Sequence, residues 1–158
     1  MSENILRATE LLPFHNYPDH GRKLLGHVTG GNCRHEYGLR FMRLTGQTKC
    51  AYCGLDLVAT YENWLTLALD HVVPHSTCLV WNLPENWRED YSNRVLCCTT
   101  CNTFGNRYIP TGYRCPATLE EFYDVRDAIF IERKRNILLR HQEERAFFDG
   151  QPWKLNAP

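Results

Sequence analysis

Two Cys-x-x-Cys pairs, Cys50/Cys53 and Cys98/Cys101, constrain this chain more than any other feature of its sequence. A two-residue spacer aims both sulfurs of a pair at one point, so each pair offers two thiolates to a tetrahedral ion and two pairs complete it. An ion held this way closes the segment from residue 54 to residue 97 into a loop whose ends must meet. Disulfides and small apolar core thiols are the alternative readings. The stretch from Met1 to Pro13 has no basic start followed by a secretory apolar core, and no apolar run approaches the ~18 residues that span a membrane. The expectation is a reducing, cytoplasmic setting with no membrane partner, where clustered cysteines more often bind metal. A structural Zn²⁺ follows, because four sulfurs leave no open position for substrate. Cys33, Cys78, Cys97 and Cys115 lack this spacing and read as core or surface thiols, with a second site through His27 or His35 the weaker option.

Lys and Arg total 18, as do Asp and Glu, so no global basic field advertises a nucleic-acid partner. The balance hides a pattern: seven basic against four acidic residues in 1–49, three against six in 50–112, and eight against eight in 113–158. A centre poor in cations but containing Asp, His and Asn suits a divalent ion better than direct gripping of phosphate.

Three segments are expected along the chain. Residues 1–45 read as an irregular arm, broken by Pro13, Pro18 and Gly21, that ends in a short amphipathic helix over 36–45 with Leu39, Phe41 and Met42 on one side and Arg40 and Arg43 on the other. Residues 46–112 form the core. Leu55, Leu57 and Ala59 alternate with polar neighbours, Glu62-Asn63 interrupt, and Trp64–Leu69 resume, which predicts a β-hairpin whose second strand ends at Asp70-His71 before Pro74. Residues 76–92, with Trp81 and Trp87, lack periodicity and read as an ordered loop. Ser92–Leu96 is extended and leads into a brief helix that Gly105 ends. Residues 113–158 form a helical extension: Thr118-Leu119-Glu120-Glu121 is a capping box, and Phe122, Val125, Ile129, Ile137 and Phe147 mark an apolar stripe. The fold class is α+β.

Between the cysteine pairs stand Asp70-His71 and Asn93, and Asn102 follows the fourth cysteine. Histidine suits proton abstraction because its ordinary pKa lies near neutrality, which makes His71 the candidate general base. Asp70 and Asn102 carry the hard oxygens that Mg²⁺ or Mn²⁺ prefers. Asn106, one helical turn after Asn102, shares its face and is a further candidate ligand. The series Cys50-x-x-Cys53-Gly54, Asp70-His71-Val72-Val73-Pro74, Asn93-x-Val95-Leu96, Cys98-x-x-Cys101-Asn102 resembles the HNH endonuclease family over roughly residues 46–107. The resemblance implies a small ββα-metal core, stapled by the four-cysteine zinc site, that cleaves DNA by metal-dependent hydrolysis. It also implies that Asn93 holds the ring of His71. Many members of that family carry Lys or Arg after the helix Asn; here Thr103-Phe104-Gly105 stand there and Arg107 is the first basic group. Arg40, Arg43, Arg94 and Arg107 are the candidate nucleic-acid contacts, with Arg133-Lys134-Arg135 as a second cluster; RNA remains open as a substrate. The competing reading is a zinc-stabilised nucleic-acid-binding module without catalysis, which would need no general base.

Overall fold

A computed structural model of the protein describes residues 12–21 and 33–155. About half of the expected arm falls outside these, as does His27; within them, Pro13–Asn16 form a 3-10 turn. A π-helical turn, Cys33–Tyr37, leads into helix α1, Gly38–Thr45. Gly46 ends α1 in the left-handed region (φ 70°), and its N–H closes on the Met42 carbonyl at 2.8 Å. The buried face of α1 is Gly38, Phe41 and Thr45, whereas Leu39 is exposed, contrary to the expected stripe.

The expected hairpin is corrected. Residues 55–59 do not pair as a strand: Lys49 and Asp56 form an isolated bridge, and the Asp56 carboxylate accepts the Val58 N–H at 3.1 Å, turning the chain. Thr60 then caps helix α2, Tyr61–Leu65, by accepting the Asn63 N–H at 3.1 Å. Strand β1 is Leu67–His71 and its partner is β2, Arg94–Cys98, antiparallel, with Leu69 opposite Leu96, Asp70 opposite Val95 and His71 opposite Arg94. The loop expected over 76–92 contains two short helices, α3 (His75–Val80) and α4 (Glu85–Arg88), then a 3-10 turn at Tyr91–Asn93.

Helix α5, Thr99–Gly105, starts directly from β2, with Cys98 as its N-cap. Two antiparallel strands followed by a helix therefore sit between and beside the cysteine pairs. Helix α6, Leu119–Asp149, opens on the anticipated capping box: Thr118 Oγ1 accepts the Glu121 N–H at 3.2 Å and the Glu121 carboxylate accepts the Ala117 N–H at 2.7 Å. A short helix α7, Pro152–Leu155, follows Gly150.

Both strands are buried over almost their whole length because helices cover them. One continuous core joins Phe41, Tyr52, Leu57, Val72, Tyr91, Leu96, Phe122, Phe130 and Ile137, with Tyr52 and Phe130 stacked at 5.5 Å. The inward face of α6 holds Phe122, Ile129 and Ile137 as expected, but Val125 is only half-buried and Phe147 is exposed. In their place Arg126, Phe130, Arg133 and Lys134 are buried, so the stripe carries three cations into the core. Among the described residues no helix is long and apolar enough to cross a membrane.

Candidate metal centre and adjoining cleft

The first cysteine pair sits in a turn closed by Cys50 N–H to Leu55 O (2.8 Å) and Gly54 N–H to Cys50 O (2.9 Å), with Gly54 at φ 79°. Ala51 N–H reaches Leu96 O at 2.8 Å, which hangs this turn on β2. The second pair spans the β2–α5 junction, where the Cys101 N–H points at Cys98 Sγ (3.4 Å). All four sulfurs lie within 4.8 Å of one another. Cys53 and Cys98 Sγ are 3.8 Å apart, and a tetrahedron with metal–sulfur bonds of ~2.3 Å has edges of ~3.8 Å. Hydrogen bonds with Cys101, Cys53 and Cys98 push the Cys50 thiol below its ordinary value, the direction that favours a thiolate ligand. The sulfur-only donor set, its spacing and its burial fit a structural metal such as zinc.

Helix α6 supports this centre from outside. His141 Nε2 lies 3.1 Å from Cys101 Sγ. Burial pushes the Lys134 ammonium below its ordinary value, an effect that the nearby Cys50 and Cys53 sulfurs only partly oppose.

At the other end of the strands a cleft of about 200 Å³ is lined by Asp70, His71, His75, Asn106 and Arg133, among others. β1 ends here, and Val72 N–H to Asn93 O (2.9 Å) carries the strand pairing one step further. Asp70 Oδ2 accepts from Tyr52 OH (2.7 Å) and pairs with Arg133 Nη2 (2.7 Å). Arg133 Nη1 also donates to the carbonyls of His71 and Val72. Burial opposes the charge of Arg133, but Tyr52 and Asp70 more than offset this and its pKa is raised. Glycine at 105 leaves the space this guanidinium needs: a Cβ there would stand 2.9 Å from Arg133 Nη2.

His71 Nε2 is 3.2 Å from Glu89 Oε2, and His75 Nε2 is 3.4 Å from Glu89 Oε1. Burial pushes His71 below its ordinary value; the Glu89 hydrogen bond works against that and the Arg94 charge reinforces it. Asn93 is fully buried: its Oδ1 accepts Val73 N–H (2.9 Å) and its Nδ2 donates to Val73 O and Arg88 O (both 3.1 Å). It clamps the turn after β1 rather than the ring of His71, which corrects the role given to it above.

The remaining candidates divide. Asn102 is half-buried and does not line the cleft; Asn106, one turn on, does. Arg94 is buried and paired with Glu89 (2.7 Å), and Arg133 and Lys134 are also withdrawn from solvent, so none of the three presents its charge at the surface. Arg40, Arg43 and Arg107 are exposed. Trp81 and Trp87 pack against the core, the latter on Phe122 at 5.8 Å. Cys33, Cys78 and Cys97 are buried and Cys115 is exposed, and His35 lies edge-on to Trp64 at 5.6 Å. Sequence reasoning missed Glu89 and placed Arg133 in a surface cluster rather than beside Asp70: both stand in charged runs, and no periodicity marks which member turns inward. Comparison of the chain with family models, with curated proteins and with solved structures gives no match.

Proposed function

We propose that this chain is an endonuclease of the HNH type that hydrolyses phosphodiester bonds in DNA, with His71 as general base. The observation that carries the reading is the cleft at the end of β1, where His71, Asp70 and Asn106 converge beside a strand pair and helix anchored on a four-cysteine cluster. An imidazole held below its ordinary pKa by burial stays unprotonated near neutrality, the form that can take a proton from water. Asp70 has Oδ2 committed to Tyr52 and Arg133, which leaves Oδ1 as the oxygen for an ion; with the amide oxygen of Asn106, which lines the cleft where Asn102 does not, the donors fit Mg²⁺ or Mn²⁺ that keeps most of its waters. Such an ion, when bound, neutralises charge growing on the phosphate and on the departing 3′ oxygen. Tyr52 and Arg133 fix the carboxylate, Asn93 fixes the turn that carries Pro74 and His75, and exposed Arg107, Arg40 and Arg43 are the phosphate contacts left to the substrate.

The pairing of Asp70 with a guanidinium favours a second reading, since a cation must bind next to Arg133: a zinc-stabilised module that binds nucleic acid without cutting it. The test is incubation of the zinc-loaded protein with supercoiled plasmid, linear duplex and RNA, with Mg²⁺ or Mn²⁺ and with EDTA, beside His71→Ala. Metal-dependent cutting lost in the variant supports catalysis. Equal cutting by both proteins, or binding without cutting, sinks it.

A further inference from the structure

We propose that Glu89 is the positioning residue for His71, fixing its ring as the tautomer with hydrogen on Nε2 and leaving the Nδ1 lone pair to take a proton. The role of Nδ1 rests on the nuclease reading; the tautomer does not. Glu89 is held by four side chains. Its Oε2 faces His71 Nε2 at 3.2 Å and Arg94 Nη2 at 2.7 Å, and its Oε1 faces Arg88 Nε at 3.0 Å and His75 Nε2 at 3.4 Å. An ionised carboxylate only accepts hydrogen bonds, so a neutral imidazole turned toward it must present N–H there. The other ring nitrogen then carries the lone pair.

The arrangement is not a chance surface contact. β2 sets Arg94 directly opposite His71, so cross-strand neighbours share one carboxylate oxygen. Asn93 ties the Arg88 carbonyl, one residue before Glu89, to Val73 just past the strand end, which fixes the distance between the loop and His71. Glu89 thereby does for the ring what the resemblance assigned to Asn93. In the nuclease, a water O–H bond breaks, its proton passes to Nδ1, and the resulting hydroxide forms the new bond to phosphorus as the bond to the 3′ oxygen breaks, that oxygen taking a proton from a solvent water.

The test uses the zinc-loaded full chain with ¹⁵N-labelled histidine and no added Mg²⁺. The His71 ring signals, identified by their absence in His71→Ala, should show hydrogen on Nε2 and a bare Nδ1. Glu89→Gln keeps an oxygen for His71 and Arg94 and should retain that tautomer, with cleavage within about 10-fold of wild type; Glu89→Ala should lose it, with kcat falling about 100-fold and KM little changed. If Glu89→Ala does not fold, Glu89→Ala with Arg94→Met removes the charge pair together. Hydrogen on Nδ1 in the wild type, or a tautomer and kcat unmoved by Glu89→Ala, overturns the proposal. If no nucleic acid is cut yet the tautomers behave as stated, the nuclease reading falls and the positioning of His71 by Glu89 stands.

Discussion

Replacing Arg133 with Met tests the arrangement at its most buried charge. The Arg133 side chain is 3% exposed and Asp70 12%, and the guanidinium also serves the carbonyls of His71, Val72 and Gly105. Met matches much of the apolar stem, so the loss is the charge and its donors. Removing one partner of a buried ion pair costs about 3–5 kcal/mol, because the other charge is left without compensation. For a domain of this size each kcal/mol moves Tm by about 2–4 °C, so the variant should melt about 6–20 °C below wild type. Circular dichroism melts and urea curves measure this directly. The decisive step is the double variant with Asp70→Asn. In wild type that substitution strands Arg133, but in Arg133→Met it removes the stranded carboxylate while Tyr52 OH still has an oxygen to donate to. The two changes together should therefore cost less than their sum by at least about 1.5 kcal/mol. Strict additivity, or a loss under about 1 kcal/mol for Arg133→Met, would refute the claim that this pair holds the end of β1.

Three further outcomes follow from named contacts. One zinc per chain should be found by metal analysis; stripping it should unfold the protein, since structural zinc contributes about 10–16 kcal/mol against a total stability of about 5–15, and equal urea midpoints with and without chelator would contradict the assignment of the four cysteines to a metal. His71 hydrogen bonding, followed by Arg88 and Arg94, holds the Glu89 carboxyl at about 2 against an ordinary 4.5 despite burial, so its stabilisation is complete above the unfolded value and disappears as pH falls from there through about 2; the urea-midpoint gap between wild type and Glu89→Gln should shrink across that window, and a constant gap would count against it. Gly38→Ala puts a methyl 2.6 Å from Leu67 Cδ2 and against the Cys33 carbonyl oxygen, and because the latter is backbone the change should cost about 1–3 kcal/mol; a raised Tm would show that the close approach of α1 is absent.

What was legible in the sequence is what chemistry fixes locally. Cysteine spacing announces its ligand set whatever surrounds it, and the four sulfurs do meet. Thr118 and Glu121 announce a helix start because both partners lie within one turn. The first strand of the expected hairpin failed for the complementary reason. Leu55, Leu57 and Ala59 alternate, yet only Leu57 is buried, and two local side-chain contacts, Asp56 to Val58 N–H and Thr60 to Asn63 N–H, bend the chain before a ladder can form. The true partner of β1 begins at Arg94, on the far side of two short helices, and no period in the sequence measures a pairing that distant.

The charges of α6 carry the same point to the candidate site. The expected apolar stripe of this helix left out Arg126, Arg133 and Lys134, and in sequence Arg133-Lys134-Arg135 looks like a phosphate grip. Each buried cation instead answers a specific anion or dipole brought by another segment: Arg126 the Ser92 carbonyl, Arg133 the Asp70 carboxylate, Lys134 the cysteine cluster. These partners come from the ends of the two strands and from the first cysteine turn. A single helix thus touches the four-cysteine cluster through Lys134 and His141 and the cleft through Arg133, so stripping a metal held by the cysteines should loosen the helix that fixes Asp70. The same burial that hides these cations from a reading of hydrophobicity is what lets them organise the site, because only a desolvated charge is strong enough to dictate where its partner must sit.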